Sequence, residues 1–568
     1  MNMKKIFSII AIFSSLMFVS CEDFLTEEVR GKQNLDTYFS TAEECQAYIT
    51  GCYQGITFGD WWQINTVWLL SEMCSDDAWM GNTSQDQTDY ITLAHYRGNG
   101  ASNGVISNFW QYRYKGIARC NIAIDRIPNA GLEDVALQNR FVAEARFLRG
   151  YFYFELARNF GGVPLLTNFM MPEDVIGIKR SSLEDTYKFI EEDLKAAAEV
   201  LPKRSEYAAA DLGRATSGAA LGLLGKVYLY QEKWQEAHDV LQKLVKESGY
   251  TGEDSQIGEY DLLPEFGQVW DCNHDNSIES LFEVQYQYHP SLGVGGSLST
   301  VTGARNSGAA LGDGWCWCQP TANLEAAYGD DDIRRQWTII SSGCTEIAGE
   351  TAENFAKILK DNKGTITDHA KVAEKYGWDP NCLIINPVAH KSGRIIRKYY
   401  IPIDDQPENY YQTKSPLNHR VLRYADVLLM YAEACNELGD DSHAQAALNK
   451  VRNRVNLPSV TATGKELRDA IRNERRLELA FEQNRLYDIR RWKDDSGNPL
   501  IASILGPNGS FVKWNTDEAT RDPFEWDNQG EDSNKGISFD VTRDLIFPIP
   551  IYEITMSGGS IEQNPGWN

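Results

Sequence analysis

The residues best equipped for binding chemistry stand in two stretches where helical periodicity breaks down. The first holds Trp79, Asn82, Tyr96, Arg97 and Asn99, and the second holds Tyr286, Tyr288, Trp315 and Trp317. A flat aromatic ring can lie against the apolar C–H face of a pyranose, while amide and guanidinium groups bond hydroxyls at the ring edge. Trp315 and Trp317 lie two apart, so an extended strand would turn both to one side as a stacking platform. The same spacing suits two core tryptophans beneath the Gly/Ser-rich run 291–314. For every ring in the set, packing within the loop competes with ligand contact.

Charged clusters offer less. Asp76-Asp77 and Asp330-Asp331-Asp332 carry the carboxylates a hard cation prefers, but neither has EF-hand spacing, and short acidic runs are usually solvated loops. No cofactor is therefore expected, with a structural divalent cation left open. Glu478, Glu482, Arg485, Asp488, Arg490 and Arg491 read as a salt-bridged helix surface. No catalytic residue is assigned: HExxH and GxxxxGK are missing, and Gly293 to Gly296 lacks strand–turn–helix context. A glycosidase needs only two carboxylates at a set separation, and 80 acids leave that open.

A formal charge of −25 argues against a protein built to hold nucleic acid, whose phosphates need basic surface. At the N-terminus, Lys4 and Lys5 precede the apolar run 6–20, which is too short to span a bilayer. Residues 1–20 read as a signal peptide. Phe18-Val19-Ser20-Cys21 resembles a lipoprotein cleavage site, with Cys21 as the lipid anchor and residues 21–40 as a tether; a plain secretory signal is the alternative. The other ten cysteines form no zinc pattern, and most are expected to be packing residues.

The elements that must position these side chains are helical. Ser40-Thr41-Ala42-Glu43-Glu44, a capping residue with an acidic first turn, opens a helix running to about Gln54. Phe141, Ala145, Leu148, Phe152 and Leu156 mark another, which Gly161, Gly162 and Pro164 stop. Two helical hairpins repeat one pattern. Leu221, Leu224, Gly225, Tyr228, Ala237, Leu241 and Leu244 return as Leu428, Tyr431, Ala432, Cys435, Ala444, Leu448 and Val451, every pair offset by the distance from Leu221 to Leu428. Small residues at such positions let paired helices pack closely, as in tetratricopeptide repeats. The spacing predicts a mainly α fold, a tetratricopeptide-like helical repeat scaffold over 41–250 and 416–568. Residues 251–415 form a large loop-rich insertion containing short strands, such as the alternating run Ser280 to Tyr288.

Five segments, in order, resemble the SusD/RagB family of outer-membrane lipoproteins of Bacteroidetes over nearly the whole chain. They are Cys21-Glu22-Asp23-Phe24-Leu25, EARFLRGYFYFELARNFGGVPL, RYADVLLMYAEACNELG, ERRLELAFE with the following RLYDIRRW, and FPIPIYEI with QNPGW. Ser557-Gly558-Gly559-Ser560 departs from the asparagine–proline pair usual there. The resemblance implies a helical fold with four tetratricopeptide-like units and a loop-rich ligand region. It further implies a surface-exposed lipoprotein that is not an enzyme, anchored in the outer membrane through Cys21. Its partners would be an oligosaccharide and a SusC-type TonB-dependent transporter, and not nucleic acid. A peptide receptor of the same fold and a lipid-anchored glycoside hydrolase are the competing readings.

Overall fold

A computed structural model describes residues 35–57, 66–81, 88–98, 100–171, 174, 176–289, 291, 294–312, 314–390, 392–406, 415–516 and 537–567. The signal peptide, Cys21, Asn82 and Asn99 lie outside the described residues. The tether expected to reach residue 40 gives way to folded chain earlier. Leu35–Tyr38 is a helical turn, and Phe39 is buried with its ring edge-on to Tyr48 at 4.8 Å.

Helix α1 (Ala42–Gln54) starts with a reciprocal cap: the Glu44 N–H donates to Thr41 Oγ1 at 3.2 Å, and the Glu44 carboxylate accepts from the Thr41 N–H. After α2 (Thr66–Met73) come α3 (Gly104–Arg126), α4 (Val135–Phe160) and α5 (Leu183–Val200), packed in succession. Most of α4 is buried, because α1, α3 and α5 cover it on several sides; Gly161, at φ 76°, ends it.

The two predicted hairpins are α6 (Ser217–Tyr230) with α7 (Trp234–Leu241), and α9 (Tyr424–Glu437) with α10 (Asp441–Arg454), where α8 (Ala352–Thr365) lies between them in the chain. All fourteen positions of the repeated pattern are buried. At Gly225 a Cβ would stand 2.4 Å from Leu241 Cδ2, so a side chain there would force the first hairpin apart. Helix α7 packs on α9, which joins the hairpins into one frame continued by α11 (Gly464–Glu478) and α12 (Arg485–Arg491).

Among the described residues, six short strands pair antiparallel in twos. These are β1 (Ala78–Trp79) with β3 (Gln319–Pro320), β2 (Ser280–Val284) with β6 (His419–Arg423), and β4 (Ile339–Ser341) with β5 (Arg394–Ile396). Strand β2 leaves the frame and β6 returns to it, so this pair is the root of the insertion. The alternation expected of Ser280 to Tyr288 is not what is seen: β2 stops at Val284 and is buried on both faces, because α6 packs over it. The insertion has a hydrophobic cluster of its own around Ile340, Ile358, Leu383 and Ile395. It is also more helical than its periodicity predicts, through α8 and the helix His369–Tyr376. Asn354 and Asn362 of α8 occupy buried positions, and the Asn362 amide donates to the Ile384 carbonyl at 2.8 Å, a polar residue where the pattern calls for an apolar one.

The cluster expected on the surface of the last helices is largely interior. Glu478, Glu482 and Asp488 are buried, and Arg485, Arg490 and Arg491 half-buried, because the insertion and α9 cover this side. Arg423 reaches Glu482 at 2.6 Å, Glu478 at 2.7 Å and Glu279 at 2.8 Å. Arg334, from the insertion, reaches Asp332 at 2.7 Å, Glu474 at 2.5 Å and Glu478 at 3.0 Å. Burial alone would raise the Glu478 carboxyl, but Arg454, Arg423 and Arg334 outweigh it and hold the group well below the usual carboxylate range. This web ties the insertion to the frame. The ten described cysteines are free thiols, eight of them buried. Among the described residues, no helix is long and apolar enough to cross a membrane.

Candidate ligand-binding site

Pairing of β1 with β3 brings the two aromatic stretches together. Trp79 faces Gln319 across that pair, and the Cys318 N–H donates to the Met80 carbonyl at 2.9 Å. The close approach depends on Gly81: at φ 77°, a Cβ there would stand 2.3 Å from the Cys316 carbonyl. Trp315 and Trp317 lie 5.6 Å apart with their rings at 55°. They are not on an extended strand. Cys316 and Cys318 take left-handed backbone, φ 58° and 54°, and the Trp315 and Trp317 N–H groups donate to the Thr300 and Val301 carbonyls at 2.8 and 2.9 Å.

The rings divide by exposure. Trp317 is buried against Tyr90, centroids 4.9 Å apart, while Trp315 is half-buried. Trp79 is half-buried beside Phe511 at 5.4 Å. Tyr96 is buried; its hydroxyl donates to the Cys74 carbonyl, its ring stands edge-on to Phe539 at 5.1 Å, and burial pushes its hydroxyl pKa well up. Arg97 is exposed. Trp79, in β1, and Trp315, four residues before β3, therefore keep partly open surface at this strand-pair shelf, while Trp317 and Tyr96 are packed inside.

The acidic residues near this shelf are already paired. Arg485 clasps Asp76 with two hydrogen bonds of 2.8 Å, and Arg476 meets Asp77 at 2.7 Å. Burial works against the Asp76 charge, yet Arg476 and Arg485 hold its carboxyl well below the usual range. Burial wins at Asp77, which is raised. Asp332 is spoken for by Arg334, and Asp330 and Asp331 are exposed. Among the described residues no group of three or more His, Cys, Asp or Glu is placed to hold a metal ion.

Tyr286 and Tyr288, both half-buried, follow β2 in the chain. The Tyr286 N–H donates to Asn418 Oδ1 at 2.7 Å, and Gly296 lies against its ring. Tyr286 lines a cleft of about 470 Å3 between α1, the loop 210–214 and the chain after β2. Sequence reasoning missed its other walls, Thr50, Gln54 and Arg214. Arg214 is held by Glu144 at 3.0 Å and Asp211 at 2.8 Å. Polar residues on an exposed helix face carry no signal that a loop some 160 positions away will close over them.

Residues 279–567 match the model of the SusD family, and residues 23–229 match a model described as "Starch-binding associating with outer membrane". Among curated relatives, SusD-like protein P2 of Formosa agariphila is 27% identical, with 100% of each chain covered. Among solved structures, a laminarin-binding SusD-like protein superposes with a TM-score of 0.69 at 26% identity, over 92% of this chain and 99% of that one. A SusD homologue from Bacteroides thetaiotaomicron gives 0.71 at 26% identity, over 94% and 98%.

Proposed function

Because the chain belongs to the SusD family, we propose that it is a surface glycan-binding protein of the outer membrane and that Trp79 and Trp315 form its sugar-stacking shelf. The observation that supports this reading is the β1–β3 pairing, which joins the two stretches that hold the half-buried Trp79 and Trp315. A ring left half open in a packed protein keeps apolar area that a pyranose face can cover, and the polar groups of a binding site fix its orientation. The likeness to a laminarin-binding protein supports a glycan over a peptide.

Cys21 carries the lipid, the mature chain stands on the cell surface, and the bound oligosaccharide passes to a SusC-type TonB-dependent transporter. The protein performs no chemistry on its ligand, and its acids near the shelf are engaged by arginine. Incubation of the purified protein with neutral oligosaccharides and with peptides tests this. Binding of an oligosaccharide returned intact is expected; cleavage products would assign a hydrolase, and binding of peptides alone would assign a peptide receptor.

A further inference from the structure

Beside Tyr286, and lined by neither Trp79 nor Trp315, the described residues enclose a further large hollow. The cleft beside Tyr286 holds about 470 Å3, within the ~300–1,000 Å3 usual for small-ligand sites, whereas three other cavities hold about 20–30 Å3. Its rim carries Leu212 and Val294, 42% and 44% exposed, an apolar surface that a packed protein has reason to cover. Its polar groups are partly unsatisfied. Among the described residues, neither the Tyr286 hydroxyl nor the Gln287 side-chain amide has a hydrogen-bond partner.

The charges at the cleft are cancelled from within. Arg214 is neutralised by Glu144 and Asp211, and Glu283 by Arg420 at 3.5 Å, with further bonds from the Asn276 N–H at 2.9 Å and the Asn418 amide at 3.0 Å. An anionic or cationic ligand would find no free counter-charge in these walls. Apolar rim, an open hydroxyl, an open amide and no net charge are the complement of an uncharged sugar ring. We propose that this cleft is a second saccharide site, taking one or two neutral pyranose units, with Tyr286 and Gln287 bonding ring hydroxyls. The proposal rests on the glycan-binding reading and adds a site to it.

The test uses the full chain and four neutral hexaoses as probes: β-1,3-glucose, α-1,4-glucose, β-1,4-mannose and β-1,4-xylose oligomers, each titrated calorimetrically. Three variants are compared with wild type: Trp79→Ala/Trp315→Ala, the same with Tyr286→Phe, and the same with Thr50→Trp. Thr50 is exposed on α1 at the cleft wall, so a tryptophan there obstructs the hollow without entering the core. The shelf variant should retain one weaker site. Tyr286→Phe should weaken that site roughly three- to tenfold, the worth of one hydrogen bond, and Thr50→Trp should remove it. If Thr50→Trp fails to fold, Tyr286→Phe decides alone. Loss of all binding in the shelf variant, or residual binding that ignores both cleft changes, overturns the cleft site and leaves the glycan reading standing. No binding of any hexaose to wild type overturns both.

Discussion

The frame around α9 to α12 and the rim of the insertion use polar chemistry in opposite ways. In the frame, charges are numerous, buried and paired: Arg423 alone satisfies three carboxylates, and Lys398 reaches Glu482 at 2.6 Å. At the rim, Trp79 and Trp315 are half-buried rings, and among the described residues the Tyr286 hydroxyl and the Gln287 amide make no hydrogen bond. The residues that look most reactive in sequence are thus occupied with each other. On the proposed reading, those left for a ligand are rings and amides.

That contrast can be broken most severely at Arg423. Arg423→Met leaves Glu279, Glu478 and Glu482 buried without their shared partner, and unfolding measurements should register a loss of about 3–5 kcal/mol. A loss below about 1 kcal/mol, typical of exposed pairs, would place the web on the surface in energetic terms. A second, pH-dependent handle lies at Glu72, which accepts from the Gln483 N–H at 2.6 Å. Burial, with the Asp77 charge adding to it, pushes its carboxyl up to about 8. The unfolded carboxyl releases its proton near ~4.3, so between these values the native state holds a proton the unfolded state has lost. Wild-type stability then falls as pH rises through this window, by up to about 1.4 kcal/mol per pH unit. Glu72→Gln lacks that penalty, so its melting temperature should gain on wild type from pH 5 to pH 8; a constant gap would contradict the assignment. The smallest effect belongs to the exposed cap of α1. Thr41→Ala should cost about 1 kcal/mol in denaturant unfolding, with no change in ligand binding at the shelf.

The hairpins were legible because their apolar and small residues recur in register, and each of those positions is buried. Helix α8 was hidden because Asn354 and Asn362 do interior work through specific hydrogen bonds, which periodicity reads as surface. At the candidate site, the aromatic stretches were visible as breaks in pattern. Which rings stay open was not, since that follows from the left-handed backbone at Cys316 and Cys318 and from Tyr96 reaching the Cys74 carbonyl. The charge cluster from Glu478 to Arg491 was visible as a cluster, but its burial depends on Arg334 and Arg423 arriving from elsewhere in the chain. The cleft was not visible at all, because Thr50, Arg214 and Tyr286 meet only in three dimensions.

The central claim is that half-open tryptophans at the insertion rim, and not the charged frame, hold the ligand. Calorimetric titration of wild type and Trp79→Ala/Trp315→Ala with the neutral hexaoses tests it directly, with circular dichroism confirming that both proteins are folded. The account predicts that the tightest site of wild type weakens at least tenfold, about 1.4 kcal/mol, in the variant. Equal affinity of the two folded proteins for the same oligosaccharide would contradict it.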